Sequence, residues 1–263
     1  MIGRRVLVLC ATVPWRRAAC EAMLGSLAAQ THPPAQVILH LDGFARATRR
    51  PQAPPGVDVR FRRFLRHRGV GNWWRALDAS HVGMLVACVG DDFLYPPGYL
   101  ERLVALQARH GGAIGWHGWD VVGRNCRFRA QIAAPTPLIR CGTALMIAEA
   151  ADLLGDAEHE LAGVFFAPRG HDEALASCWL WQHDVAMTRP AGRPGVTHLP
   201  EGDDPRATSI RDHDRKVSLR RVLRERYGWP DRAQRTNPRV DALVGRDVRA
   251  ALAQRSAPAR QPV

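Results

Sequence analysis

The sequence predicts an α/β protein: a mixed sheet flanked by helices, forming a single domain with a helical C-terminal extension. Two observations carry this. In the first half of the chain, short apolar runs alternate with segments whose apolar residues recur every three to four positions, the pattern of strands joined by crossover helices. Acidic residues also stand where two of the apolar runs end, at Asp42-Gly43 and Gly90-Asp91-Asp92. In open α/β sheets, ligands gather beyond the carboxyl ends of strands, where loops converge and helix N-termini point into the crevice. With 263 residues, 46% of them hydrophobic, the chain is large enough for a sizeable core and is neither disordered nor fibrous.

Arg5 to Thr12, rich in Val and Leu, reads as a buried strand. Trp15 to Gln30 follows as a helix with Ala19, Met23, Leu24 and Leu27 on one side, stopped by Thr31-His32-Pro33-Pro34. Gln36 to Leu41 is the second strand, and Val57, Val59 and Phe61 alternate with charged residues as a half-exposed third. Gly69 to Ala79 reads as a short helix and Met84 to Val89 as a strongly apolar strand. Pro96-Pro97 opens a further helix, with Leu100, Leu103, Val104 and Leu106 facing a core. Beyond residue 110 the pattern is mixed. Ala113 to Trp119 and Ala144 to Ile147 read as strands, and Glu149 to Leu154 and Asp172 to Gln182 as helices. Residues 190–212 read as loop, Val217 to Tyr227 as a basic amphipathic helix and Ser256 to Val263 as a disordered end.

The formal net charge is +12, yet Lys216 is the only lysine, and such an Arg-, Ala-, Gly- and Pro-rich composition follows from GC-biased codons. No helix-turn-helix, zinc-finger or RNA-binding signature accompanies the charge, so a nucleic-acid partner is not expected. The longest apolar run, Val6 to Val13 with Thr12 its polar member, falls far short of the roughly 20 residues of a membrane-spanning helix. No signal-peptide pattern opens the chain, so a cytoplasmic protein is expected. The six cysteines (Cys10, Cys20, Cys88, Cys126, Cys141 and Cys178) form no C-x-x-C pair and read as buried thiols. P-loop, G-x-G-x-x-G, H-E-x-x-H and nucleophile-elbow motifs are missing, which excludes the corresponding ATPase, dehydrogenase, zincin and hydrolase readings.

Asp91-Asp92 is the main chemical candidate. Adjacent carboxylates on a strand-end loop either bind a hard divalent cation, which completes its shell with water and substrate phosphate oxygens, or cap the helix that follows. Three stretches resemble glycosyltransferase family 2 and its GT-A-fold relatives: Val8 to Arg16, the phrase Ser26-Leu27-Ala28-Ala29-Gln30-Thr31-His32-Pro33-Pro34, and Gly90-Asp91-Asp92-Phe93-Leu94-Tyr95-Pro96-Pro97-Gly98-Tyr99-Leu100. The likeness covers about residues 5–105 well and 140–190 loosely.

The resemblance implies a GT-A (Rossmann-like) fold with a nucleotide-sugar-binding half at 1–110 and an acceptor-binding half at 111–200. A C-terminal loop, basic helix and tail would fill 201–263. It implies an inverting, hexosyltransferase-like enzyme acting on a nucleoside-diphosphate sugar, most simply UDP-linked, and on a glycan, lipid-linked or small-molecule hydroxyl acceptor. Carried over position by position, Pro14 and Arg16 lie near the nucleotide, Asp42 contacts base or ribose, Asp91 holds ribose or sugar, and Asp92 ligates Mn²⁺ or Mg²⁺. The family's run of three acids begins here with Gly90, and Asn72 stands where relatives often carry a Lys beside the donor. Asp172, with Glu173 second, matches the acidic pair that supplies the base, although acids in a first turn also favour the helix dipole. Gly142-Thr143 matches a small-residue turn facing the sugar.

His198 is either a solvated loop histidine or an additional metal ligand. The tryptophans at 73, 74, 116, 119, 179 and 181 read as core, with at most one touching ligand. The basic helix is a solvated face or a peripheral membrane contact. Two other classes remain open: a nucleotidyltransferase-like enzyme on the same fold, and a degenerate non-catalytic binding module.

Overall fold

The computed structural model describes residues 4–65, 74–116, 118–122, 125–128, 173–200 and 213–229, with residues 134–136, 138–139, 143–147, 154–156, 152, 158 and 162 between them. Thirteen strands (β1–β13) and four helices (α1–α4) are assigned among these. The first strands are β1 (Val6–Thr12), β2 (Gln36–Asp42), β3 (Val59–Phe64) and β4 (Leu85–Val89). They pair in parallel in the order β3-β2-β1-β4. Their Val/Leu/Ile-rich sequences suit strands covered on both faces.

The sheet continues beyond β4 through β11 (Thr143–Ile147), β6 (Ala113–Gly115), β12 (Met187–Arg189) and β9 (Ala134–Pro135), with β11 antiparallel to both of its neighbours. Strands β7 (Gly118–Val122), β8 (Asn125–Phe128) and β10 (Leu138–Ile139) form a separate three-stranded sheet. The single strand expected over Ala113 to Trp119 is therefore two strands in two sheets. The apolar run is continuous, but its backbone partners change from β11 to β8 and β10.

The alternation of side chains along β1 sorts the core into two layers. Val6, Val8 and Cys10 pack with Cys20, Met23, Leu24 and Leu27 of α1 (Arg17–Ala28) and with Tyr99, Leu100 and Leu103 of α2 (Tyr99–His110). Leu7 and Leu9 face the opposite layer, where Leu175, Trp179 and Leu180 of α3 (Glu173–Gln182) lie with Leu223 of α4 (His213–Tyr227) and with Trp229. Trp74, Trp116 and Trp179 are buried, in keeping with their core reading, as are Cys10, Cys20, Cys88 and Cys178, all free thiols. Trp73 lies outside the described residues, and so does the disordered end expected over Ser256 to Val263.

Three further expectations are refined. The helix expected from Trp15 begins as a 3-10 turn, Pro14–Arg16, before α1, because proline fits a first turn whose N–H groups have no partner. Pro96-Pro97 precede α2 rather than opening it; the Tyr99 N–H bonds the Pro96 carbonyl at 2.9 Å and closes the turn that leads in. The described part of the helix expected over Gly69 to Ala79 consists of 3-10 turns at 74–76 and Ala79–His81. Asp78 is extended there; its carboxylate accepts from Ser80 N–H while its own N–H donates to His81 Nδ1, a capping box that starts a new turn. The Glu149 to Leu154 helix falls mostly outside the described residues.

His40, buried on β2, stacks on Phe64 at 5.4 Å, and its Nε2 has no hydrogen-bond partner among the described residues. Burial first, then the Arg62 guanidinium, pushes its pKa down to about 3. Between pH 6.5 and about 3 the unfolded chain therefore takes up a proton that folded His40 refuses, and stability falls as pH falls, by at most about 1.4 kcal/mol per pH unit. His40→Leu should flatten this part of the acid limb in urea titrations run from pH 7 to 4. An unchanged acid slope would show that His40 is not the group responsible.

Candidate functional site

Strand order reverses at β1, with β2 on one side and β4 on the other, and the crevice at such a switch point is where open α/β sheets hold ligands. The sequence places chemistry on this rim. Thr12 ends β1, Asp42 ends β2 one residue past the Thr12–Leu41 register, and Gly90-Asp91-Asp92 follows β4. Thr143 pairs with Val89, which brings the start of β11 beside the same turn.

Asp91 and Asp92 are both largely buried. Thr12 Oγ1 donates to Asp91 Oδ2 at 2.8 Å, directly across the switch point. Arg16, carried by the 3-10 turn that Pro14 opens, reaches Asp91 Oδ1 at 3.0 Å and Asp92 Oδ2 at 3.6 Å. Burial raises the Asp91 pKa; the Arg16 charge and the Thr12 hydroxyl oppose this without cancelling it. A carboxylate kept in such a place at a cost to its charged form is characteristic of functional sites.

On the far side, the segment expected as plain loop carries a two-residue strand, β13 (Thr197–His198), antiparallel to β5 (Phe93–Leu94). It is anchored twice: Arg102 of α2 donates to the Pro194 carbonyl at 2.9 Å, and the Leu199 N–H to the Asp92 carbonyl at 2.7 Å. The result sets His198 Nε2 3.2 Å from Asp92 Oδ2, with its ring edge-on to Phe93 at 5.0 Å. Two residues singled out separately in the sequence thus meet here. Among the described residues, no group of three His, Cys, Asp or Glu side chains is placed to hold a metal.

The two best-marked phrases of the sequence also touch. The Gln30 side-chain amide donates to the Pro96 carbonyl at 2.9 Å and to the Ser26 carbonyl at 3.0 Å, and its oxygen accepts the Leu100 N–H at 3.0 Å. Thr31 N–H bonds the Pro97 carbonyl at 2.8 Å, and Ser26 Oγ accepts from Tyr95 N–H at 3.1 Å. The end of α1 therefore holds the loop that follows the acid pair. The polar residues of both phrases are there because a buried turn must satisfy its backbone groups.

Asn72, Gly142 and Asp172 lie outside the described residues. Glu173 opens α3, half-buried, and no hydrogen bond or ion pair among the described residues joins it to the acid pair. Sequence reasoning passed over Thr12 and Trp15. Thr12 is a strand-end hydroxyl that only its packing reveals. Trp15 is 48% exposed beside Arg16, unlike the buried tryptophans. The apolar side of α4 is taken up by the core through Leu223, while Arg221 and Arg226 face outward. Among the described residues, no helix is long and apolar enough to cross a membrane.

No family model matches the sequence, and no curated protein matches it. The fold does have solved counterparts. Residues 1–349 of S. aureus TarS in complex with UDP-GlcNAc superpose with a TM-score of 0.54 at 13% identity, covering 83% of this chain and 66% of that one. A longer S. aureus TarS structure gives 0.50 at 13% identity over 83% of this chain and 40% of that one. Another structure of S. aureus TarS 1–349 gives 0.50 at 15% identity over 74% of this chain and 60% of that one. This chain thus spans two thirds or less of the length of those proteins. The shared architecture is the mixed, Rossmann-like sheet flanked by helices that the sequence predicts.

Proposed function

We propose that this chain is an inverting glycosyltransferase that takes a sugar from a nucleoside-diphosphate sugar, UDP-linked, and passes it to a hydroxyl acceptor, assisted by a divalent cation. The observation that carries the reading is the Asp92–His198 pair at the switch-point crevice, beside the Arg16–Asp91 ion pair. The likeness in fold to a protein crystallised with UDP-GlcNAc supports the donor class.

The residues fit a cation of the Mg²⁺ or Mn²⁺ type. Asp92 and His198 present a carboxylate oxygen and an imidazole nitrogen 3.2 Å apart. A carboxylate and an imidazole would supply two positions, leaving the rest to water and donor phosphates, as such ions prefer. When bound, the ion supplies charge neutralisation to the departing diphosphate.

This chain's own residues do the remaining work. Arg16 is cationic and reaches both carboxylates, and from there its charge would help to offset that of the diphosphate. Thr12 and Arg16 hold Asp91 in one orientation for the ribose or sugar hydroxyls, and buried Asp42 meets the base or ribose from the next strand. In the transfer itself, the acceptor oxygen forms a bond to the anomeric carbon while the bond to the diphosphate breaks, and its electron pair leaves with the nucleotide. The acceptor proton goes to a carboxylate, assigned to Asp172, with Glu173, the first residue of α3, as the alternative.

The test is a panel of UDP-, GDP- and dTDP-sugars with Mn²⁺, read by nucleoside diphosphate release. Release with UDP-sugars above all others is expected. Pyrophosphate release from nucleoside triphosphates would replace this reading with nucleotidyl transfer, and no response to any nucleotide would leave a non-catalytic module.

A further inference from the structure

Asp92 occupies space that a side chain at position 90 would need. A Cβ placed on Gly90 would lie 2.6 Å from Asp92 Oδ1, and 3.0 and 3.3 Å from Cδ2 and Cε2 of the Phe93 ring. Gly90 is not among the residues with positive φ, so close approach rather than backbone conformation calls for glycine here. The two groups it would strike are the ones that frame His198: the Asp92 carboxylate, 3.2 Å from Nε2, and the Phe93 ring, edge-on at 5.0 Å and 81°. Nor is residue 90 free to retreat. Its N–H donates to the Tyr95 hydroxyl at 2.8 Å, and that hydroxyl reaches its carbonyl at 3.3 Å. Tyr95 is itself held through its N–H by Ser26 Oγ at 3.1 Å.

We propose that Gly90 is a positioning residue for the Asp92–His198 pair: its missing side chain is the seat of the Asp92 carboxylate. A methyl group at 90 would act on the far end of a short side chain, which rotates away at little cost to the fold while parting the carboxylate from the imidazole. The position is therefore not simply that of a lost ligand. An aspartate there would need the space that Asp92 fills and would weaken cation binding rather than strengthen it. The functional weight of the proposal rests on the glycosyltransferase reading, whereas the geometric claim does not.

The experiment titrates Mn²⁺ by electron paramagnetic resonance in the presence of UDP. It compares the wild type with Gly90→Ala, Gly90→Asp, His198→Ala and the double variant Gly90→Ala/His198→Ala. Gly90→Ala and Gly90→Asp should each bind Mn²⁺ about 10- to 100-fold more weakly, the range for partners that orient a ligand. His198→Ala should add little in the Gly90→Ala background, because the pair is already parted. Wild-type affinity in Gly90→Ala, or tighter binding in Gly90→Asp, overturns the proposal.

A second readout needs no metal. The ¹⁵N-detected His198 ring signal should move on Asp92→Asn in the wild type but not in Gly90→Ala, and a shift in both backgrounds overturns the proposal even if no variant binds Mn²⁺. Failure of Mn²⁺ binding across all variants would count against the cation in the proposed function alone. Gly90→Ala/Phe93→Leu, which makes room only on the ring side, carries both readouts if alanine alone prevents folding.

Discussion

Asp92→Ala should abolish donor-induced stabilisation. A ligand at about 100 times its Kd adds roughly 2.7 kcal/mol to the folded state, a rise in Tm of about 5–10 °C for a chain of this size. The wild type is expected to show such a shift with UDP-sugars and Mn²⁺. Asp92→Ala should lose it, because this carboxylate meets both His198 and Arg16. Asp91→Asn is the useful control. Burial raises the Asp91 pKa despite Arg16 and Thr12, so the neutral amide should cost the fold little while still impairing the donor. An equal shift in wild type and Asp92→Ala would remove Asp92 from the site.

Asp172→Asn should reduce sugar transfer by about 10²- to 10⁴-fold, the usual contribution of a positioned general base, and leave the donor-induced shift intact. The two variants therefore separate binding from chemistry: one fails in thermal shift, the other only in turnover. Glu173→Gln is the companion measurement. Glu173 begins α3 and stands at the positive end of its dipole, where an acid is favoured with or without a reaction. If Glu173→Gln is the inactive variant and Asp172→Asn turns over normally, the base is Glu173. Loss of the donor shift in Asp172→Asn would move that residue from acceptor chemistry to the donor site.

The local parts of this protein were legible from residue order. Val6 to Thr12, Gln36 to Asp42 and Leu85 to Val89 are strands because each is a run of residues that must be buried on both faces. The α1 and α2 segments are helices because their apolar residues recur at 3.6-residue spacing. Acids at the ends of such strands mark the crevice, and this again follows from chain order once the strands are parallel. The β13 strand was missed: with two residues it is too short for any alternation to show, and it forms only because Phe93-Leu94 offers it a partner edge.

What the sequence by itself determined, then, are the elements and the rim on which the acids sit, because periodicity and turn chemistry are local. Only the tertiary structure decided which groups meet. His198 and Asp92 are brought together by a strand pair and two loop anchors, Arg102–Pro194 and Leu199–Asp92, that join distant segments. Gly90 read in sequence as a missing ligand, whereas in the fold it is room for its neighbour's carboxylate. Contacts of this kind depend on how close-packed surfaces fit together, and no spacing along the chain records that fit.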